Sequence, residues 1–255
     1  MKRRFSRSAE QPVLLPRQLN IACIGLGRDA GTTLISSSLA IYFAENGESV
    51  TFLECARPDR TCGLLYDAVA MDQRFYGRTF RSAYAVMRGG GRLRDVSNLE
   101  RGVNWWLLTP DDRRLPADET DELILRLAAS ARDQVCIFDV QDPAFPLSEM
   151  DLVLCIVDPL PSRLASQTEQ IARMRQLAEG KRGPEVVFLV TKVSAAVNRR
   201  AVRGLLGVRG IEWVPAFPAE ELYRDEYTCR FHWDNPVIRE ELAPLFTKLS
   251  HKIPR

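Results

Sequence analysis

Seven short apolar runs punctuate the chain: Ile21–Ile24, Val50–Leu53, Trp105–Leu108, Val135–Phe138, Leu152–Val157, Val186–Val190 and Ile211–Val214. Most are continuously apolar rather than alternating, which is how strands covered on both faces read. Helical patterns lie between them. Thr33–Asn46 closes at Gly47, a C-cap signal, and Asp118–Arg132 carries Leu123, Leu127 and Ala131 at helical spacing. Ser162 is the expected N-cap of a helix with Leu164, Thr168, Ile171, Arg175 and Ala178 on one stripe, ending at Gly180. A last stripe joins Ile238, Leu242, Leu245, Phe246, Leu249 and Ile253, with Pro244 inside it predicting a kink or break. Residues 55–103 are irregular, with a short helix expected over Thr79–Met87 and a flexible turn at Arg88–Arg92. Strands alternating with helices predict an α/β fold: a doubly wound, mostly parallel sheet with helices on both faces.

Composition narrows the class. With 255 residues, 45% of them hydrophobic and 27% charged, the chain reads as soluble and needs no disulfide staple. A net charge of +2 gives no bulk attraction to nucleic acid or membrane, so such binding would need a local patch. Six cysteines form no C-x-x-C pair, and Cys23, Cys136 and Cys155 sit in apolar runs. A reducing, cytoplasmic setting fits. No run approaches the roughly 18 apolar residues of a membrane span. Residues 1–18 read as a flexible basic arm and 19–255 as a single domain.

The segment Ile21–Leu34, "IACIGLGRDAGTTL", carries the chemistry. An apolar strand enters a turn with three glycines and two threonines, and a helix follows. Glycines let the backbone approach a ligand, amides point inward, and the helix N-terminus adds partial positive charge. This is a recipe for an anion site.

That loop resembles the deviant Walker A motif, K-G-G-x-G-K-[ST]-T, of the MinD/ParA family of P-loop ATPases. Gly27, Arg28, Asp29, Ala30, Gly31, Thr32 and Thr33 occupy the seven positions from the first lysine to the hydroxyl residue. Gly31 and Thr33 fit. The lysine that in the family reaches across a dimer is Gly27 here, the phosphate-gripping lysine is Thr32, and a family glycine is Asp29. The resemblance runs over residues 20–253. Val50–Glu54 is similar to the strand ending in an acid, with Glu54 at that acid and Ala56 where a second is usual. Gln134–Val140 is similar to the Walker B strand, with Asp139 as its acid. Met150–Ser166 is similar to the next strand and helix. Thr191 stands where an asparagine usually precedes the base-recognition turn.

The resemblance implies a P-loop NTPase fold, ATP and Mg²⁺ as ligands, and Gly27–Thr33 with Thr191 as nucleotide-binding residues. Thr33 and Asp139 would serve the metal, and Glu54 and Arg28 are the catalytic candidates. Loss of the gripping lysine would weaken phosphate affinity by about ten- to a hundredfold. Asp29 would add repulsion if its side chain faced the loop interior. The resulting expectation is a weak or inactive ATPase that works by binding protein partners, as an organiser or assembly factor in division, partition, pilus or flagellum type systems. An active ATPase with Arg28 in a lysine's place is the alternative. A homodimer would meet through Gly27–Ala30 and Gln141–Phe145. The amphipathic helix that ends MinD has no counterpart after the last helical stripe, unless the basic arm replaces it.

Blander readings stand beside these. The glycine turn could be a tight connection, Asp139 a capping residue and Glu54 a strand terminus. The pattern Gly25–Gly31 with Glu54 also approaches a nicotinamide-dinucleotide fingerprint, giving an oxidoreductase as a further alternative. Arg199, Arg200, Arg203 and Arg209 form a basic cluster that DNA could use, although a solvated helix face is the favoured reading. Cys229 and His232 have C-x-x-H spacing without a second pair, so zinc is not expected. His251 reads as a surface residue. Trp105 and Trp106 should pack on opposite faces of their strand.

Overall fold

All seven apolar runs become strands in the computed structural model. It describes residues 18–55, 80–93, 96–109, 112, 117–141, 145–180, 183–208, 210–228 and 230–252. Strands β1 (Leu19–Gly25), β2 (Val50–Cys55), β4 (Val103–Trp106), β5 (Val135–Val140), β6 (Leu152–Val157), β7 (Glu185–Val193) and β8 (Ile211–Pro215) pair in parallel. The sheet order is β3-β4-β2-β5-β1-β6-β7-β8. The two-residue edge strand β3 (Leu99–Glu100) is antiparallel to β4 and has no apolar pattern to betray it. Its hairpin turns at Arg101 and Gly102, both with positive φ, as a tight primed turn demands. The basic arm lies outside the described residues, except that Gln18 donates to the Ala131 carbonyl and so belongs to the fold.

Each sheet face has its own core. One face packs Ile21, Cys23, Phe52, Trp105 and Ile137 under α1 (Thr32–Glu45) and the last helix, α8 (Pro236–Lys252), with α7 (Ala219–Tyr227) alongside. The other packs Ala22, Ile24, Trp106 and Phe138 under α2 (Ala83–Arg88), α3 (Ala117–Ala128), α4 (Pro161–Ser166), α5 (Thr168–Glu179) and α6 (Arg199–Leu206). Trp105 and Trp106 point to opposite cores, as strand alternation requires.

Three helix expectations need correction. The helix expected after Ser162 begins earlier, with Leu160 at the N-cap and Pro161 in the first turn, where proline's missing N–H is harmless. It also breaks at Gln167, and the buried stripe is Leu164, Ile171 and Met174; Thr168 and Ala178 are exposed. Pro244 does not break α8, which runs unbroken through it. Pro244 sits on the exposed side, where water can satisfy the carbonyl that loses its partner. The helix of residues 83–88 starts at Ser82, whose side chain accepts from the Ala85 amide; Thr79 lies outside the described residues.

Candidate functional site

The loop Leu26–Gly31 leaves the C-terminal end of β1, flanked by β5 and β6, and feeds α1. In open parallel sheets, ligands bind at this edge. Gly25 must be bare: a Cβ there would lie 2.3 Å from Thr32 Oγ1. Gly31, the N-cap of α1, has φ 90° and no side-chain cap bond. Among the described residues, no backbone amide from Gly27 to Gly31 donates a hydrogen bond of ordinary geometry. The first turn of α1 adds the orphan amides that every helix start presents. Amides without acceptors at a helix N-terminus are what an anion needs.

Beneath the loop, Thr33 Oγ1 donates to Asp139 Oδ2 at 2.7 Å. Asp139 is 2% exposed, and its other oxygen, Oδ1, is buried without a hydrogen-bond partner among the described residues. Burial pushes the Asp139 carboxyl up from 3.8 to about 6, against the Thr33 hydrogen bond and the nearby Ser36 hydroxyl, which pull it down. A buried carboxylate with an open lone pair beside a threonine hydroxyl fits a hard divalent cation, directly or through water. Two residues drawn from the sequence pattern, 106 positions apart, are thus brought together.

The raised carboxyl has a consequence for stability. Between about pH 4 and pH 6 the folded chain holds a proton here that the unfolded chain has released, so stability falls as pH rises through that window. The difference approaches roughly 3 kcal/mol above pH 6, because each tenfold change in proton affinity is worth about 1.4 kcal/mol. Urea denaturation of the wild type and Asp139→Asn at pH 4 and pH 7.5 should show the variant gaining on the wild type at the higher pH. Parallel pH profiles would refute the assignment.

The other candidates sort differently. Glu54 faces Asp139 across the β2–β5 register, but its Oε2 accepts from the Leu108 amide at 2.9 Å and the residue is 2% exposed. It ties the ends of β2 and β4 together. Thr191 is buried, and its hydroxyl donates to the Ala30 carbonyl at 2.7 Å, so it supports the loop from below. Asp29 does not face the loop interior. Its side chain is 78% exposed and lies 3.7 Å from Arg163 Nη2, so the expected repulsion is absent. The Arg28 side chain is exposed, and among the described residues only its carbonyl is engaged.

Three residues at this edge were missed in the sequence. Asp158, just past β6, is 4% exposed and pairs with Arg163 at 2.9 Å and with Lys192 at 3.1 Å. Arg163 Nη1 donates to the Arg28 carbonyl at 2.9 Å, and Lys192 Nζ donates to the Asp29 carbonyl. Lys192 sits where β7 departs from regular pairing with β8, with φ 55°. That conformation is unfavourable for a long side chain by about 1 kcal/mol. The available signal was position: Asp158 directly after an apolar strand and Lys192 closing the apolar run of β7, at the sheet edge where ligands bind.

Elsewhere, Arg199 and Arg203 lie 5.2 and 5.5 Å over the Trp213 ring, so part of the basic cluster covers an indole; Arg200 is exposed and Arg209 lies outside the described residues. His232 Nδ1 lies 3.4 Å from Asp225 Oδ2, while Cys229 is outside the described residues. His251 is exposed. Cys23, Cys55, Cys136 and Cys155 are buried free thiols, and burial pushes all four up. No helix among the described residues is long and apolar enough to cross a membrane. Of the expected dimer segment Gln141–Phe145, the central residues 142–144 lie outside the described residues.

Solved structures place this architecture. A chain of the MinC:MinD cell division protein complex of Aquifex aeolicus superposes with a TM-score of 0.66 at 13% identity, covering 93% of this chain and 98% of that one. The chain has the MinD/ParA ATPase fold. A putative plasmid partition protein of Borrelia burgdorferi, bound to AMPPNP, gives 0.65 at 12% identity over 91% and 99%. The septum site-determining protein MinD of Pyrococcus horikoshii, complexed with Mg-ADP, gives 0.63 at 11% over 91% and 96%. No protein-family model matches the chain, and no curated protein matches it in sequence. Neither Gly27 nor Thr32, at the two ends of the turn, carries a cationic side chain.

Proposed function

We propose that this chain is a MinD/ParA-like protein with a degenerate phosphate loop, which binds Mg-nucleotide weakly and turns ATP over at or near background. On this reading it acts by engaging partners, as a spatial organiser or assembly factor in division- or partition-type systems. The observation that carries the reading is the Thr33–Asp139 pair with its open Oδ1 under a loop whose amides, among the described residues, donate no hydrogen bond of ordinary geometry. Those residues would hold Mg²⁺, and the amides from Gly27 to Thr33 would receive phosphate oxygens. Bound there, the metal would neutralise phosphate charge. What the loop lacks is the ammonium that stabilises charge developing in phosphoryl transfer, so binding without efficient turnover follows. Neighbours crystallised with AMPPNP, with Mg-ADP and in a complex with MinC support both the ligand class and the partner-based role.

Calorimetric titration with ATP, ADP and NADPH, with and without Mg²⁺, tests this. Weak, magnesium-dependent binding of adenine nucleotides and none of NADPH is expected. Robust magnesium-dependent hydrolysis that collapses in Arg28→Ala would instead establish an active ATPase.

Dimerisation follows the same logic. Nucleotide favours a dimer only by binding it more tightly than the monomer. With glycine at position 27, that differential should be small. Light scattering at several concentrations should give an oligomeric state that barely moves on adding Mg-ATP. A monomer-to-dimer shift abolished by Arg28→Ala would overturn this.

A further inference from the structure

Three successive carbonyls of the loop are held from one side. Arg28 O accepts from Arg163 Nη1, Asp29 O from Lys192 Nζ, and Ala30 O from Thr191 Oγ1. The donors come from two places: α4, and two consecutive residues at the irregular end of β7. Arg163 and Lys192 are held side by side by one buried carboxylate oxygen, Asp158 Oδ2. Asp158 is itself fixed, because its Oδ1 accepts from the Leu160 amide at 3.0 Å.

In a planar trans peptide the C=O and the following N–H point in opposite directions. Pinning the carbonyls of residues 28, 29 and 30 to one side therefore projects the amides of Asp29, Ala30 and Gly31 to the other. These are among the loop amides that donate no ordinary hydrogen bond among the described residues. We propose that Arg163, Lys192 and Thr191, with Asp158 uniting the first two, are positioning residues that lock three loop carbonyls outward and so aim three amides at the phosphate site. The clamp does from outside the loop part of what a loop lysine does from within: it keeps the backbone in the anion-accepting shape. The unfavourable φ of Lys192 is explained by this task, since the departure from regular strand geometry occurs where the ammonium meets the Asp29 carbonyl.

The ligand half of this inference rests on the nucleotide reading above, whereas the loop-shaping half does not. The test combines ¹⁵N relaxation with calorimetry on the full chain, comparing wild type, Lys192→Ala, Lys192→Arg and Asp158→Asn. Lys192 is about half exposed, so its variants should fold, and unchanged α1 amide shifts would verify this. In the wild type, order parameters at Asp29, Ala30 and Gly31 should approach the ~0.85 of rigid backbone; in Lys192→Ala they should fall below ~0.6. Affinity for Mg-ADP and for pyrophosphate should drop at least about tenfold, roughly one charge-assisted hydrogen bond's worth of loop ordering. Lys192→Arg should recover most of both effects, and Asp158→Asn should loosen the loop as Lys192→Ala does. Equal rigidity in Lys192→Ala and wild type would overturn the clamp, as would an arginine variant no better than alanine. If the wild type binds neither probe while Lys192→Ala still loosens the loop, the nucleotide reading fails and the clamp stands.

Discussion

Thr32→Lys should tighten Mg-ATP binding by about ten- to a hundredfold, the equivalent of one charge-assisted hydrogen bond to phosphate. Thr32 opens α1 at a half-buried position, with its hydroxyl over the bare Gly25, where a Cβ would lie only 2.3 Å away. An unbranched residue also suits a helix start at least as well as threonine does. The gain should shrink as salt rises, because it is electrostatic. Adding Asp29→Gly should contribute little further affinity. The Asp29 side chain already points outward toward Arg163, so glycine there relieves only a left-handed backbone, φ 56°. Calorimetry on the wild type, the single variant and the double variant measures both statements. An unchanged affinity in Thr32→Lys would mean that the loop amides do not face a phosphate.

Trp105→Ala should cost about 3–5 kcal/mol of folding stability, the range for deleting a large buried aromatic side chain. Trp105 is fully buried in the core of the α1–α8 face, on the strand next to the sheet edge. It stacks on Phe231 with ring centroids 4.9 Å apart and tilts against Phe52 at the same distance. Its indole N–H donates to the Glu100 carbonyl at 3.0 Å, which ties the β3–β4 hairpin to the sheet. Truncation would leave a cavity bordered by three elements and an unpaired carbonyl. Urea denaturation should show a large fall in the midpoint with little change in slope. Trp106→Phe, on the other face, removes less volume and should cost clearly less. A loss under about 1 kcal/mol for Trp105→Ala would mean that the two-core description is wrong.

Strand identity was legible because parallel strands bury both faces, and a continuous apolar run such as "LVLCIV" at Leu152–Val157 admits few other readings. The loop was legible because glycines, a strand and a helix start are contiguous, so a local pattern describes a local structure. Asp139 was legible for the same reason, as an acid closing an apolar strand. The sequence alone therefore determined the layered α/β class, the position of the glycine turn between β1 and α1 and the absence of loop lysines. It did not determine which strands are neighbours, since pairing β1 with β5 and β6 depends on contacts over more than a hundred residues. Nor did it determine that Pro244 would face solvent in an unbroken helix, or that Gln167 would split the helix expected after Ser162. Above all, it did not reveal the clamp. Asp158, Arg163 and Lys192 look like ordinary polar residues at or beyond strand ends, and they lie 130 to 163 positions from the loop carbonyls they serve directly or through one another. A charge's partner is set by Coulomb and hydrogen-bond geometry over a few ångströms in space, and a sequence does not state those distances. That Thr191 braces the loop, and whether Asp29 repels a phosphate or faces solvent, was decided by the same short-range geometry in the folded chain.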